Sequence, residues 1–352
     1  MSLPHKKLLN SFPIYLQDMQ TNTMNKINNK NTDVNSTLHV NSIKENATPN
    51  NTLSVSNVCE FLYCPRKLFL TKILGLKEIE KQELVLGELQ HKFYEIINYE
   101  DEKIIKKITG DIELSKLKRA FRLHYSQVLR QLIISKRTTL SKFSHSLIDV
   151  LNHNWHLVIT ESEKKALNTY NFIKKHNIYG DELWTKLTPK IKSEIKIKSD
   201  KLNIKGVIDR IMIYPDKIEV IEIKTGAPPS QGIWDSHRMQ TALYLLMLKE
   251  NLYNKNNSFI NHINNIGIIN NTEHLKVEGY VLYSNTQQLT PVIINPFLED
   301  EIYELIRKTR ELINSKLIPH KLNNENKCNR CSLQDKCNNN ELITSLMQHK
   351  SP

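Results

Sequence analysis

Residues 217–224 read KIEVIEIK and place an acid and a lysine two positions apart, Glu222 and Lys224. The stretch is rich in β-branched residues, which predicts a strand. Successive side chains of a strand point to opposite faces, so Glu222 and Lys224 share one face and Ile221 and Ile223 pack on the other. A carboxylate beside a lysine can serve metal-dependent hydrolysis of a phosphodiester when a second acid lies close.

The second acid is Asp209, in the stretch 203–213, NIKGVIDRIMI, which is expected to be the partner strand. Residues 214–217, YPDK, are turn material, so a hairpin would bring Asp209 beside Glu222. Two close carboxylates repel each other unless a cation lies between them, and oxygen ligands suit Mg²⁺ or Mn²⁺. Lys224 could hold the attacking water and stabilise charge on the phosphate. The same residues also fit an exposed hairpin with alternating charge.

Two predicted helices could complete this site. Residues 237–250 have helical composition after a capping Asp235 or Ser236, and Gln240 and Tyr244 share one face of that helix. Residues 87–97 also favour a helix, on which His91 could complete the metal shell. Taken alone, Gln240 and Tyr244 fit a half-buried helix edge, and a single helical histidine is more often a satisfied or solvated residue.

The chain has five cysteines, and three of them, Cys328, Cys331 and Cys337, are closely spaced near its C-terminal end. The first thirty residues lack the apolar core of a secretory peptide, so we expect a cytoplasmic protein whose thiols stay reduced. Clustered reduced cysteines indicate a metal rather than disulfides. The spacing permits a zinc site with four cysteine ligands, whereas three close thiolates with one remote ligand suit a 4Fe–4S cluster.

Together these motifs resemble the RecB-like branch of the PD-(D/E)xK nucleases, and more narrowly the four-cysteine nucleases associated with CRISPR adaptation. Members carry, in this order, a Cys-Pro-Arg element, a helical histidine, Gly-x-x-Asp, Glu-x-Lys-Thr-Gly, Gln-x-x-x-Tyr and a cysteine trio. Here the elements are CPRK at 64–67, His91, Gly206 to Asp209, EIKTG at 222–226, Gln240 to Tyr244 and CNRCSLQDKC at 328–337. The resemblance covers roughly 53–97 and 191–340.

The resemblance implies a role for each matching residue. His91, Asp209, Glu222 and the backbone carbonyl of Ile223 would bind Mg²⁺ or Mn²⁺. Lys224 would be the catalytic lysine, and Gln240 and Tyr244 would position the DNA strand. Glu194 occupies the place of an accessory acid. The 4Fe–4S ligands would be Cys64, Cys328, Cys331 and Cys337, with zinc as the less favoured occupant. Cys59 departs from the family pattern and could be a core thiol or an alternative ligand, of which we expect the core thiol.

The expected fold class is α/β: a PD-(D/E)xK restriction-endonuclease-like core, with a mixed sheet flanked by helices, a helical insertion and an iron–sulfur staple. The predicted segments are a disordered Asn-rich N-terminal segment (1–52), an N-terminal arm (53–97), a basic helical insertion (98–190), the nuclease core (191–318), a C-terminal cysteine segment (319–340) and a flexible tail (341–352).

Composition agrees with a polyanionic substrate, since the formal net charge is +12 and the pI about 9.2. The longest apolar run, 242–248, is far too short to span a bilayer, so no membrane role is expected. The candidate DNA contacts are Arg66 and Lys67 beside the first cluster cysteine, and Lys118, Arg119 and Arg122 in the insertion. The alternative for the insertion is an ordinary solvated helical surface.

The sequence therefore predicts a metal-dependent deoxyribonuclease, an exonuclease acting on single-stranded DNA ends. The resemblance implies trimming of prespacer ends in CRISPR adaptation, alongside the adaptation integrase. A related alternative is an end-resecting nuclease of DNA repair or replication. An alternative of another class is a non-catalytic iron–sulfur DNA-binding subunit, against which the intact set of Asp209, Glu222 and Lys224 argues.

Overall fold

A mixed six-stranded sheet forms the centre of the fold. The structure, a computed structural model, describes residues 52–144, 146–253, 267–269, 275–315 and 317–348, so the predicted Asn-rich segment lies outside the described residues except for its last residue. The strands are β1 (Leu53–Ser54), β2 (Lys190–Ser199), β3 (Ile204–Ile213), β4 (Lys217–Lys224), β5 (Lys276–Tyr283) and β6 (Gln288–Val292).

Strand β3 pairs with three other strands of the sheet. It pairs antiparallel with β2 along its length except at Asp209, antiparallel with β4 at one end and parallel with β1 at the other. Beyond β4 the sheet continues through β5, which is parallel to β4, and ends at the antiparallel β6. The hairpin predicted from 203–213 and 217–224 is thus confirmed as β3 and β4.

Helices flank this sheet. They are α1 (Val55–Tyr63), α2 (Pro65–Leu68), α3 (Gln82–Ile105), α4 (Leu114–Ser135), α5 (Arg137–Ser141), α6 (Leu147–His176), α7 (Gly180–Lys186), α8 (Asp235–Tyr253), α9 (Pro296–Asn314), α10 (Glu325–Asn329), α11 (Gln334–Asn338) and α12 (Asn340–Gln348). A π-helical turn, Phe69–Ile73, follows α2. Helix α12 occupies most of the segment that the sequence predicts to be a flexible tail.

The two faces of the sheet bury two different cores. One face packs on α1, α8 and α9, and strand β4 contributes Ile218 and Val220 to that core. The other face packs on α3 and on α4 and α6 of the insertion, and here β4 contributes Ile221 and Ile223. The alternation predicted for β4 is therefore confirmed, and the insertion forms one layer of the fold.

The N-terminal arm and the cysteine segment meet in a third, smaller core. Phe69 and Leu70 of the π-helical turn pack with Leu333 and with Ile343 of α12. Tyr63, at the end of α1, donates a 2.8 Å hydrogen bond from its hydroxyl to the carbonyl of Lys327. These contacts join parts of the chain that lie more than 260 residues apart in sequence.

The observed architecture confirms the predicted fold class, a mixed sheet flanked by helices with a helical insertion. Among the described residues, no helix has the length and apolar character needed to cross a membrane.

Candidate active site

The β3–β4 hairpin brings the two predicted acids together. Its register pairs Arg210 with Ile221, so the next step of that register sets Asp209 opposite Glu222. The backbone N–H of Ile223 donates a 2.8 Å hydrogen bond to Asp209 Oδ2. The carboxylate of Asp209 is therefore fixed against β4 at the level of Glu222 and Ile223.

Three candidate metal ligands lie together: His91 of α3, Glu194 of β2 and Asp209 of β3 have ligand atoms that all lie within 4.8 Å of one another. His91 Nδ1 lies 3.4 Å from Asp209 Oδ1. Burial acts to raise the pKa of Asp209, but the hydrogen bond and charge of His91 and the Ile223 N–H hold that pKa below its ordinary value. Asp209 is thus kept ionised, as a metal ligand requires.

Glu194 reaches this group through an irregular strand conformation. Strands β2 and β3 pair on both sides of it, at Ser193 with Arg210 and at Ile195 with Ile208, but the pairing skips Glu194 itself. Its backbone adopts φ 54°, the left-handed region that non-glycine residues seldom occupy. Such strain collects at functional sites, and here it accompanies a carboxylate that lies beside Asp209.

Glu222 and Lys224 share one face of β4, as predicted. Glu222 is only 1% exposed, and its Oε1 lies 2.8 Å from Lys224 Nζ. Lys224 Nζ also donates a 2.9 Å hydrogen bond to Gln240 Oε1 on α8. Burial lowers the pKa of Lys224, but the adjacent Glu222 more than offsets this and raises it, so the lysine stays charged.

The second oxygen of Glu222 shows that this site fits a cation. Glu222 Oε2 is buried and has no hydrogen-bond partner among the described residues. Burial, with the negative charge of Asp209, raises the pKa of Glu222 to about 8. A buried carboxylate oxygen without a donor is costly unless a cation neutralises it. Carboxylate oxygens with one imidazole nitrogen suit Mg²⁺ or Mn²⁺, so the donor set fits the predicted metal.

The structure groups the predicted ligands differently from the sequence-based hypothesis. Glu194, expected only as an accessory acid, belongs to the compact group with His91 and Asp209, whereas Glu222 lies outside that group. Glu222 instead faces Asp209 across the hairpin and is tied to Lys224. The metal roles of these four residues remain predictions.

Tyr244 is buried, at 3% exposure, and packs over Gly206 of β3. A Cβ at Gly206 would lie 2.6 Å from Tyr244 Cε1, so the glycine of the Gly-x-x-Asp motif is what allows the ring to approach. Burial raises the pKa of Tyr244, and the side chain of Gln240, one helical turn away on α8, acts in the opposite direction. This placement favours Tyr244 as a support for Gln240 and Lys224 over direct contact with a substrate.

Sequence reasoning missed the polar residues that hold α3 against the end of β4. Gln90, beside His91, is 1% exposed and donates hydrogen bonds to Asn154 Oδ1 (2.8 Å) and to Asn285 Oδ1 (3.0 Å). Ser284 Oγ donates to Gln90 Oε1 (2.6 Å), and the Ser284 N–H donates to the carbonyl of Lys224 (2.8 Å). No local motif marks these residues, because each partner is distant in sequence.

Four cysteines line one cavity of about 60 Å³ between the N-terminal arm and the cysteine segment: Cys64, Cys328, Cys331 and Cys337. All five cysteines are free thiols. The fifth, Cys59, packs instead against the core that holds α8, where burial raises its pKa to about 12. Cys59 therefore lies apart from the other four cysteines and has the position expected of a core thiol.

Arg66 and Lys67, predicted as DNA contacts, are engaged within the protein. Arg66 is buried and donates hydrogen bonds to Cys337 Sγ (3.2 Å) and to the carbonyl of Pro319 (2.8 Å). Lys67 Nζ lies 3.4 Å from a Glu60 oxygen and 2.9 Å from a Glu78 oxygen. These contacts favour a role in holding the cysteine cavity over a direct role in binding DNA.

The basic residues predicted on the insertion lie on α4. Lys118 and Arg122 both approach Glu163 of α6, at 3.8 and 3.2 Å, whereas Arg119 is exposed. Part of the positive charge of this surface is therefore already compensated inside the insertion, and Arg119 is the member best placed to meet an external phosphate.

Comparison with known proteins agrees with this geometry. No curated protein matches the chain. One solved structure, the crystal structure of SSO0001, is similar at 16% identity over 70% of this chain and 96% of the other, with a TM-score of 0.27, a likeness too weak to support an argument. The sequence model of the PD-(D/E)XK nuclease superfamily, however, matches residues 52–338, which contain the sheet, the paired acids and the lysine. The chain belongs to the PD-(D/E)XK nuclease superfamily.

Proposed function

We propose that this protein is a divalent-metal-dependent deoxyribonuclease that degrades DNA from single-stranded ends. The observation that carries the proposal is the convergence of His91, Glu194 and Asp209 within 4.8 Å, next to a buried Glu222 whose Oε2 has no partner among the described residues. Membership of a superfamily of metal-dependent nucleases supports the reaction class. The net charge of +12 supports a phosphate-rich substrate.

The proposed roles follow from the contacts. His91, Asp209 and Glu222, with Glu194 and the Ile223 carbonyl, would hold Mg²⁺ or Mn²⁺, which supplies charge stabilisation at the phosphate and a more acidic water. Lys224 would orient that water through its ammonium group, which lies 2.8 Å from Glu222 Oε1. Gln240 accepts from Lys224 Nζ at 2.9 Å and so fixes the direction of the lysine.

Labelled DNA provides the direct test. Wild-type protein with Mg²⁺ or Mn²⁺ should degrade single-stranded DNA, and Asp209→Asn, Glu222→Gln and Lys224→Met should each reduce the rate by about 100-fold or more, as expected when a charge-stabilising group is removed. Glu219→Gln is the matched control, because Glu219 lies on the same strand but pairs with Lys217. Full activity in either carboxylate variant would refute the site assignment.

Single-strand and end specificity need their own substrates. Linear single-stranded, circular single-stranded, duplex and RNA substrates of equal length should separate an exonuclease from an endonuclease and DNA from RNA. We expect linear single-stranded DNA to be degraded and circular DNA to resist. Equal degradation of circular and linear DNA would show that the protein is an endonuclease and would refute the proposed exonuclease activity.

We also propose that Cys64, Cys328, Cys331 and Cys337 hold a 4Fe–4S cluster. Their common cavity supports this, as do the donors aimed at the sulfur atoms from Arg66, from the backbone N–H of Lys67 (3.4 Å from Cys64 Sγ) and from that of Leu333 (3.4 Å from Cys331 Sγ). Four thiolates on one zinc at about 2.3 Å would bring the sulfur atoms to roughly 3.8 Å from each other. Among the described residues no group of three cysteine sulfurs lies within 4.8 Å of one another, so the thiols do not have the spacing of a preformed zinc site, and the metal content of the purified protein decides between iron and zinc.

The biological task that we propose is trimming of prespacer ends in CRISPR adaptation, in company with the adaptation integrase. The order of the motifs, from CPRK at 64–67 to the cysteine trio, supports this choice. A genomic neighbourhood with an integrase and a repeat array would agree with it, whereas a helicase or repair operon would favour end resection instead.

A further inference from the structure

A groove of about 930 Å³ opens beside the candidate active site, and the residues that line it have no role in the proposed reaction. One wall is formed by the end of β4 and the segment leading into α8. The opposite wall is formed by the end of α1 and by the cysteine segment. Residues that line the groove include Tyr63, Gly226, Trp234, Ser236, Lys327 and Arg330.

The groove is lined by residues that lie close in sequence to Lys224 and Gln240. Gly226 follows Lys224 by two residues, and Ser236 lies one helical turn before Gln240, which accepts the 2.9 Å hydrogen bond from Lys224 Nζ. His237, which also lines the groove, has its pKa lowered by burial and by the charge of Lys224, so the groove lies within electrostatic reach of the lysine. This position places the groove next to the site at which the scissile phosphate would lie.

Trp234 presents an aromatic surface in this groove. Its side chain is 47% exposed, although large apolar side chains are usually covered. The ring is nevertheless held in place, because Trp234 Nε1 donates a 3.0 Å hydrogen bond to the carbonyl of Ala227 and the backbone N–H donates to Tyr283 Oη at 3.3 Å. A fixed indole whose polar atom is already satisfied suits stacking on a flat partner.

The opposite wall is basic. Lys327 Nζ lies 5.4 Å from the centre of the Tyr63 ring and donates to the Tyr63 carbonyl at 3.4 Å. Within the described ranges, neither Lys327 nor Arg330 has a salt bridge to a carboxylate. Asp235, an acid on the Trp234 side, has its own partner in Arg238 at 3.8 Å. An aromatic surface and two such cations that line one groove match a base joined to phosphates.

We propose that this groove binds the single-stranded DNA next to the scissile phosphate, with Trp234 stacked on an unpaired base and Lys327 and Arg330 contacting the phosphates. The inference rests on the proposed nuclease function and adds a binding site to it. Stacking on the indole requires a base that is not paired, so the groove selects single strands over duplex. Lys327 and Arg330 flank Cys328 and Cys331, so the cysteine cluster would hold this wall in place.

Binding of a fluorescein-labelled oligothymidine, measured by anisotropy in EDTA so that no cleavage occurs, tests the groove. Trp234→Ala should weaken binding by about 10-fold, since stacking on one aromatic typically changes affinity by that order, and Trp234→Phe should retain most of it. Phe297→Ala is the matched control, because Phe297 is 85% exposed and lies on α9 outside the groove lining.

Two further measurements do not depend on the alanine variant folding. With Trp155→Phe and Trp184→Phe, Trp234 is the only tryptophan, and its emission should be quenched when oligothymidine binds. For wild-type protein, moving a single abasic site along the oligonucleotide should reveal one position at which affinity falls by about the same factor.

The outcomes separate this inference from the proposed function. Suppose that the wild-type protein binds and cleaves DNA, but that Trp234→Ala binds with unchanged affinity, the tryptophan emission is not quenched and no abasic position lowers affinity. These results would refute DNA binding in the groove and would not affect the proposed nuclease activity. A wild-type protein that neither binds nor cleaves DNA would overturn both.

Discussion

Gln90 donates a 2.8 Å hydrogen bond to Asn154, which links helix α3 of the N-terminal arm to helix α6 of the insertion. The two residues are 1% and 0% exposed. Gln90 is the neighbour of His91, and the hydrogen bond that it accepts from Ser284 links it to the carbonyl of Lys224, to which the Ser284 N–H donates. The insertion therefore contributes to the placement of the predicted metal ligand as well as covering one face of the sheet.

Removing either amide should destabilise the protein. Gln90→Leu or Asn154→Leu leaves the other buried amide short of a partner, which costs about 1–3 kcal/mol of unfolding free energy. In the double variant the destabilisation should be smaller than the sum, because both members of the pair are apolar. Urea unfolding of the four proteins measures this cycle. Gln288→Leu, at an exposed position, should change stability by about 0.5 kcal/mol or less.

The parts of the site that are determined by a local sequence pattern could be predicted from the sequence. Strand β4 could be predicted at its observed bounds, 217–224, because β-branched residues are frequent in it. Gln90 could not be predicted, since its partners lie 64 to 195 residues away. Strand β5, which is parallel to β4 and reached by a crossover through α8, was likewise missed because nothing local marks that pairing.

The closeness of Glu194 to His91 and Asp209 predicts that it binds the metal. Glu194→Gln and His91→Gln should each weaken Mn²⁺ binding by about 10-fold or more, the range seen when groups around a metal are altered. Calorimetric titration with Mn²⁺ in the absence of DNA measures this separately from activity. Glu95→Gln serves as a control, since Glu95 is engaged with Lys92 on α3. Unchanged affinity in Glu194→Gln would leave it outside the metal shell.

The contact between Gly206 and Tyr244 predicts the cost of a single methyl group. Gly206→Ala would place a Cβ 2.6 Å from Tyr244 Cε1 and 2.9 Å from Val55 Cγ2, so the ring or the strand must shift. We expect unfolding free energy to fall by about 1–3 kcal/mol, with lower nuclease activity because Tyr244 supports Gln240. Gly110→Ala is the control, since none of the described neighbouring atoms lies within 4 Å of the place that its methyl group would occupy. Equal stability of the two variants would contradict the packing argument.

Arg119 tests whether the insertion borders the DNA. It is the exposed member of the basic trio, while Lys118 and Arg122 share Glu163. Reversal of all three to Glu should weaken binding of single-stranded DNA, and Arg119→Glu alone should reproduce most of that effect. The salt dependence of binding should flatten by about 0.7 in logarithmic slope for each phosphate that the protein no longer neutralises. An unchanged affinity and slope would identify the trio as an ordinary solvated surface.

If the four-cysteine cavity holds an iron–sulfur cluster, the protein should be coloured and its folded state should be stabilised by the bound iron. Protein purified without oxygen should be brown and contain about four irons per chain, as a cubane with four thiolate ligands requires. Cys64→Ala, Cys328→Ala, Cys331→Ala and Cys337→Ala should each lose the iron and unfold more easily, because metal-binding free energy is also folding free energy. Cys59→Ala is the matched control and should keep the iron, since Cys59 packs in a different core. A colourless protein with one zinc would replace the iron–sulfur cluster and leave the nuclease proposal intact, whereas iron loss in Cys59→Ala with retention in Cys64→Ala would reassign the remote ligand.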